Sequence, residues 1–543
     1  MHQNKLGTDK KIKLFMKNNA FRVSQKFALK RMEKVMKNSN IKIVKKKDGK
    51  KIIFNLIYGM YGKIIFWEGT LAKALQMRGH DVSSLICGNT LTMCTTEYTV
   101  NSAHDDMTCK HCVDFSKSFL NTASLPYSTY GDHISNPEID NIKNRVDKLS
   151  IDECENLTYK GVNVGGLSKN SVIRYFKGSL KPDKDRYDFV LRSELLNAII
   201  STDVAEKIVK EEKPDILVTR HLGYSSWGSF AEYCGNKGIR VCSPGEGYKK
   251  NTLRFDIFDI GEVNNAFTRY YEEVRKKKPL NDDEEIEIQS FLDKRTAGSE
   301  GDTADYIFTP GEMEIGLFDF DKYDKTYAIF PNVPWDSSLL NANKGFNGVH
   351  DWISETIGLF KEKPNCQLLV KIHPSELRVL KSENTVSDYI SNKFDSLPEN
   401  IKIIPPDTKI SPYDLFQFID AGIVYNGTIG LEMALNNIPV ALAGRTHYAG
   451  KGFTYDISTK KEYKDVLFGD FPSLDKQKLQ LAKIYAYYFF IKSFIPYDFV
   501  TANRRTLKYG WNIKSLDDLA EGKDKYLDHI CNYITKGIVY QDW

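Results

Sequence analysis

Apolar residues in this chain fall in short runs separated by stretches of three-to-four spacing, an alternation that predicts strands divided by helices. Lys51 to Tyr58 (KIIFNLIY) reads as a buried strand, Gly59 and Gly62 as a turn, about Trp67 to Arg78 as a helix, and Asp81 to Ile86 as the next strand. Strand, glycine turn, helix, strand is a Rossmann-like opening. The glycines lack the GxGxxG spacing, so the cue is to a nucleotide fold and carries no dinucleotide fingerprint. A helical segment around Val190 to Glu211 leads through Lys213-Pro214-Asp215 into a strand at Ile216 to Thr219, a helix over 226–237 and a strand at Ile239 to Cys242. Short connections of this kind belong to parallel sheets.

The second half repeats the alternation. Strands are predicted at Tyr327 to Phe330, Gln367 to Ile372, Ile401 to Ile404, Ala421 to Tyr425 and Val440 to Ala443, with helices near 349–361, 412–418 and 428–436 between them. The expected architecture is therefore α/β, with two Rossmann-type, doubly wound domains facing a cleft and a basic helical N-terminal arm. The arm covers 1–50, the first domain 51–255, a charged interdomain segment 256–324, the second domain 325–475, and a helical tail 476–543 that crosses back to the first domain.

Composition adds bounds. With 543 residues, 41% hydrophobic and 27% charged, the chain is globular and exceeds one ordinary domain. It has no apolar run long enough to span a bilayer and no secretory signal pattern, so a cytoplasmic location with reduced cysteines is expected. The net charge of +5 conceals an asymmetry: the first fifty residues hold sixteen Lys/Arg against three Asp/Glu, a local +13, leaving −8 for the rest. Leu14, Phe15, Phe21, Ala28, Leu29, Met32, Val35 and Met36 recur among those lysines at roughly helical spacing. Two readings stay open: residues 1–45 touch anionic membrane as an interfacial helix, or they form a tail that packs on its own domain or on nothing. Nucleic acid is not expected as a partner, because the body is acidic and no nucleic-acid-binding signature accompanies the arm.

The most informative stretch is Val424 to Asp456. A strand ending in Tyr425-Asn426-Gly427 hands over to a helix near Thr428, whose free N–H groups welcome a phosphate in the crevice at the strand's C-terminal edge. Thr428 can cap the helix or give its hydroxyl to that phosphate, and Glu432 can accept from a ribose hydroxyl or hold the loop. The same tripeptide is also an ordinary turn with an N-cap. Lys371 and His373, in Val370-Lys-Ile-His-Pro-Ser-Glu376, follow an apolar strand of the same sheet. With Glu376 nearby, and with Arg445, His447 and Tyr448 after the next strand, they complete a candidate phosphate clamp.

Phe330-Pro-Asn-Val-Pro-Trp-Asp336, KIHPSE, YNGTIGLEMAL and AGRTHYAGKGFTYD together resemble bacterial capsule and surface-polysaccharide biosynthesis proteins, GT-B enzymes distantly similar to Kdo transferases and sialyltransferases. The resemblance is best over 325–470 and continues through GVNVGGLSKNSVIRYFKG and RHLGYSSWGSFAEYCGNKGI. It implies that His373 and Thr428 hold the nucleotide phosphate. Relatives often carry Ser-Ser or Thr-Ser where this chain has Gly427-Thr428, which leaves a CMP-, UDP- or GDP-linked donor open.

A transferase of this type needs a base on the first domain to take the acceptor's proton. Glu68 and His221 are the candidates placed first, ahead of Glu246, Asp132 and His133. Cys87, Cys94, Cys109 and Cys112 form a cluster that can supply thiolates for a structural zinc or iron–sulfur centre, with His104 and His111 as substitutes. Free thiols are the alternative, and a similar cysteine group accompanies the resembling family. The expected function is a glycosyltransferase, metal-independent at its reaction centre, acting on a polysaccharide, glycolipid or glycoprotein acceptor. Alternatives are a sugar-nucleotide epimerase or hydrolase of the same architecture, or a non-catalytic assembly protein.

Overall fold

The computed structural model describes residues 8–39, 43–57, 59, 62–94, 106–178, 183–259, 262–264, 271–297, 318, 320–335, 342–378, 385–408, 410–469, 471–503 and 508–537. After helix α1 (Thr8–Lys37) come β1 (Lys51–Asn55), α2 (Gly62–Met77), β2 (Asp81–Ile86), α3 (Asp106–Ala123) and β3 (Tyr127–Thr129). Then follow α4 (Val164–Tyr175), α5 (Lys184–Glu212), β4 (Ile216–Val218), α6 (Ser225–Asn236), β5 (Arg240–Glu246), β6 (Thr252–Asp259) and β7 (Glu262–Asn264). These strands make one sheet in the order β3-β2-β1-β4-β5-β6, with β7 on β6. The pairs from β3 to β5 are parallel, and β6 turns antiparallel. Helices cover both faces, so the central strands are apolar nearly throughout: Ile52, Ile53 and Phe54 of β1 are all buried.

The second half runs α7 (Asp282–Thr296), β8 (Lys325–Ile329), α8 (Val349–Lys361), β9 (Cys366–Lys371), α9 (Val386–Lys393), β10 (Ile401–Ile404), β11 (Ala421–Val424), α10 (Ile429–Leu435), β12 (Val440–Leu442) and β13 (Tyr455–Asp456). Its sheet order is β10-β9-β8-β11-β12-β13, parallel throughout. Both sheets thus wind outward in two directions from a central pair, β1/β4 in the first and β8/β11 in the second. A crevice opens at the C-terminal ends of such a pair, because the connections on either side leave in opposite directions. The fold is α/β with two Rossmann-like, doubly wound halves.

The remaining elements are α11 (Lys476–Tyr487), β14 (Ile495–Pro496), the hairpin β15 (Val500–Asn503) and β16 (Lys508–Trp511), and α12 (Lys525–Lys536). The tail is therefore mixed, not helical. β14 adds to the first sheet beside β6. Around α2, the Trp67 indole donates to the Val500 carbonyl at 3.2 Å, the Tyr497 hydroxyl donates to the Trp67 carbonyl at 3.1 Å, and the Arg78 guanidinium reaches Asp528 at 2.5 Å.

Other boundaries differ from expectation for local reasons. β1 stops at Asn55, and α2 already begins at Gly62, because Ile65, Phe66 and Trp67 are buried as helix and leave little length for a turn. β5 runs on through Pro244 to Glu246, since β6 pairs on its outer edge. The helix expected over 412–418 is one 3-10 turn, Tyr413–Leu415, after Pro412. In α1, Gln25, Ala28 and Met32 are buried, and the helix lies against α3 and β16, while Val23 and Phe27 stay exposed. No described helix is long and apolar enough to cross a membrane.

Candidate functional site

β4 delivers Thr219, Arg220 and His221 to the C-terminal edge of the first sheet, directly before α6. The Arg220 guanidinium lies over the Trp67 indole at 5.4 Å, and its Nε donates to the Glu68 carboxylate in a buried ion pair. Burial raises the Glu68 pKa, and Arg220 opposes that rise. Glu68 is thus at the cleft, but committed to Arg220. His221 is different: it is exposed, and it takes a left-handed backbone with φ 51, a conformation uncommon outside glycine that clusters at functional sites.

Trp227 meets the His221 ring edge-on at 4.9 Å, and Tyr224 lies at 6.2 Å. Solvent reaches this imidazole, yet protein surrounds it at longer range, as on the floor of a cleft. That enclosure, followed by the charges of Arg220 and Arg174, pushes its pKa down to about 3 and keeps it neutral at pH 7. Asn55, Ile57, Ile65, Glu68, Arg220 and Trp227 line an adjoining small recess. Of the lesser candidates, Asp132 serves a capping box with Thr129, His133 pairs with Ser128 at 2.9 Å, and Glu246 ends β5.

The C-terminal edges of the two sheets approach each other. α4 packs beside the β4–α6 loop, where the Asn170 amide donates to the Gly223 carbonyl at 3.0 Å and the Ser225 N–H donates to the Ser171 hydroxyl at 3.0 Å. Just beyond α4, Gly178 (φ 72) abuts Pro334, in the loop that follows β8; a Cβ added to Gly178 would lie 2.4 Å from the Pro334 Cβ. Asp336 of the same loop lies outside the described residues, as does His104.

On the second edge, the predicted clamp residues separate into two groups. Lys371 is buried, with Nζ donating to the Pro405 carbonyl at 3.0 Å and the Thr408 hydroxyl at 3.2 Å, so it ties β9 to the β10 loop. Glu376 is also buried; it accepts the Val386 N–H at 3.0 Å at the start of α9, and burial lifts its pKa to about 7. Glu432 accepts from Arg295 of α7 at 2.8 Å and from the Tyr413 hydroxyl at 2.7 Å.

His447 stacks on Phe489 at 3.9 Å and pairs through Nδ1 with the Tyr485 hydroxyl at 2.9 Å; burial holds its pKa near about 3. It is an aromatic-core histidine and does not line the crevice as a phosphate donor. Tyr448 is buried and donates to the Gly427 carbonyl at 2.6 Å, fixing the loop from behind. His373 is half-buried and its Nδ1 accepts the Ser375 N–H at 3.1 Å; Asn426 is buried at the end of β11. Thr428 is half-buried with a helical backbone and makes no capping bond, so the expected N-cap is not formed. Arg445 is exposed, and its N–H donates to the Ala342 carbonyl at 2.7 Å.

The four clustered cysteines do not assemble. Cys87 and Cys94 pack against the core beneath α5, and Cys109 and Cys112 ride on α3, where the Cys109 thiol donates to Asn89 at 2.7 Å. Among the described residues no group of three or more His, Cys, Asp or Glu side chains is placed to hold a metal ion. Residues that the sequence did not single out are Asn55, Arg174, Arg220 and Arg295. Arg220 was legible in principle, as a cation directly after a buried strand, but its neighbour His221 drew the attention.

Residues 312–499 match the family described as capsule polysaccharide biosynthesis protein. No curated protein gives a significant match. Among solved structures, the Thermosulfurimonas dismutans KpsC beta Kdo 2,4 transferase is 14% identical, covering 57% of this chain and 88% of its own, with a TM-score of 0.38. The beta Kdo 2,7 transferase of the same protein is 14% identical over 59% of this chain and 90% of its own, with a TM-score of 0.32. The UDP-GlcNAc 2-epimerase of Neisseria meningitidis bound to UDP-GlcNAc is 10% identical over 81% of this chain and 98% of its own, with a TM-score of 0.25.

Proposed function

We propose that this chain, whose residues 312–499 belong to the capsule polysaccharide biosynthesis family, is a glycosyltransferase that moves a sugar from a nucleotide-sugar donor to a glycan acceptor. The observation that carries the reading is His221: a neutral, solvent-reached imidazole on a left-handed backbone at the C-terminal edge of the first sheet's central strands. In this reading the donor's phosphate sits against His373, Thr428 and Asn426, and Arg445 closes over it. The acceptor hydroxyl attacks the anomeric carbon and its proton passes to His221. The anomeric C–O bond to phosphate breaks, and its electron pair leaves with the nucleotide, whose growing charge His373 and backbone N–H groups stabilise.

Glu68 is a positioning residue here, holding Arg220 and hence the loop that carries His221. Lys371, Glu376, Glu432, His447 and Tyr448 shape the donor loop from behind. The test is a thermal-shift screen against CMP, UDP, GDP and dTDP, beside His373→Ala. One nucleotide should raise the melting temperature of the parent protein and fail to raise that of the variant. No shift with any nucleotide would sink the reading.

A further inference from the structure

Helix α1 has two unlike sides. The side with Gln25, Ala28 and Met32 is buried on the body, where the helix lies against α3 and β16 and the Gln25 side-chain oxygen pairs with the His111 ring at 3.1 Å. The other side is open. Val23 and Phe27, one turn apart, are 51% and 69% exposed, and Lys26, Lys30, Arg31 and Lys34 are exposed as well. At 3.6 residues per turn, positions 23, 27, 30 and 34 fall on one stripe directly opposite 28 and 32, with Lys26 and Arg31 along its two flanks. Glu33 is matched by Lys37 at 2.6 Å, which leaves Lys26, Lys30, Arg31 and Lys34 without an ion pair among the described residues.

Scattered exposed apolar residues are ordinary on a protein surface. These two sit inside a cluster of cations, on an arm that carries +13 over residues 1–50 against −8 for the rest of the chain. An acidic body attracts such lysines, yet they occupy the face turned away from it. A partner for this face must supply negative charge and apolar depth within one or two helical turns. An acidic protein surface or a nucleic-acid backbone supplies the charge but gives Phe27 no depth to enter. An anionic lipid surface supplies both: the phenyl ring sinks to the boundary of headgroups and acyl chains, while the lysine stems lie along it and place their ammonium groups among the lipid phosphates.

We propose that the outer face of α1 is a docking surface for an anionic lipid bilayer; the assignment is independent of the glycosyltransferase reading. The position of this face links it to the crevice. α3 runs against the parallel strands β2 and β3 that it connects, so its first turns, where His111 meets Gln25, lie toward the C-terminal edge of the first sheet. Val23 and Phe27 flank Gln25 in the chain, and therefore stand at the same end of the first domain as His221.

The experiment sediments the full chain with vesicles of phosphatidylcholine containing about 30% phosphatidylglycerol, and with phosphatidylcholine alone, at low and at high salt. The variants are Lys26→Gln/Lys30→Gln/Lys34→Gln and Phe27→Ser. A control, Lys461→Gln/Lys464→Gln/Lys476→Gln, makes the same charge change on exposed lysines of the second half. Each variant is first shown to keep the parent's cooperative melt. The parent should bind the anionic vesicles and be released by salt. A basic group near an anionic surface is worth about fivefold in partitioning, so the arm triple variant should bind at least about tenfold more weakly than the parent, and the control within about twofold of it. Phe27→Ser should lose at least about threefold. Equal binding to both vesicle types, binding to neither, parent-like binding of either arm variant, or an equal loss in the control would overturn the assignment. So would salt-dependent self-association in sedimentation velocity that the arm triple variant abolishes, without vesicle binding, since that result seats a second copy on this face.

Discussion

At the scale of single residues, what distinguishes His221 from the other candidate bases is that its side chain has no hydrogen-bond or ion-pair partner among the described residues. Glu68 is tied to Arg220, Asp132 to Thr129, and His133 to Ser128. His221→Ala should lower transfer about 100- to 10,000-fold while nucleotide affinity stays within twofold, by initial rates and calorimetry. Parallel losses in both would remove it from the role. Glu376 offers a test by pH. Its folded pKa of about 7 lies above the ordinary glutamate value of 4.5, so between those values the folded chain holds a proton that the unfolded chain has released. Stability attributable to this group therefore falls as pH rises from about 4.5 to about 7, by up to about 3 kcal/mol at roughly 1.4 kcal/mol per tenfold change in proton affinity. Glu376→Gln, whose amide oxygen still accepts the Val386 N–H, should melt higher than the parent at pH 8 and match it at pH 5. A constant gap across that range would count against the assignment.

At the scale of elements, the donor loop is held by helices that do not touch the crevice. Arg295 of α7 is clamped between Glu432 of α10 and the rings of Tyr248 and Phe490, at 5.3 and 5.4 Å. Removing one member of a buried pair strands the other's charge. Arg295→Met should therefore destabilise by about 3–5 kcal/mol in denaturant titrations, and the double variant Arg295→Met/Glu432→Leu should recover most of it. Additive losses would mean that the two side chains are not coupled. This pair also explains why the sequence leaves two readings of Glu432 open, a ribose contact or a loop support: the residue that neutralises it lies in the charged interdomain segment, far away in sequence. The arm teaches the same lesson, because its apolar spacing fits an interfacial helix and a docked one equally well. Burial of Ala28 and Met32 against the body accounts for part of that pattern.

At the scale of the whole molecule, the two halves share a hydrophobic cluster running through α2, α10, α11 and α12, so the cleft has a continuous hinge-side wall. Across its mouth, Gly178 meets Pro334. Gly178→Val asks a β-branched residue to adopt a left-handed backbone, at a cost of about 1–2 kcal/mol, and drives its side chain into that proline. The variant should increase the radius of gyration in solution scattering and depress transfer, with nucleotide-induced stabilisation preserved. An unchanged radius and an unchanged rate would show that the contact does not set the spacing of the halves.

The sequence by itself determined the alternation of strands and helices, the two doubly wound halves, and the strand ends that carry His221, His373 and Thr428. Those features follow from local periodicity and from the rule that parallel strands, buried on both faces, read as apolar runs. Only the tertiary structure decided which polar residues near those ends face the crevice and which are consumed by neighbours. It gave Lys371, Glu376, Glu432, His447 and Tyr448 partners within the protein, and brought Asn55, Glu68 and Arg220 together at one recess. The reason is physical: a side chain's chemistry is set by what shares its surroundings, and partners here stand as far as 450 positions apart, as Arg78 and Asp528 do.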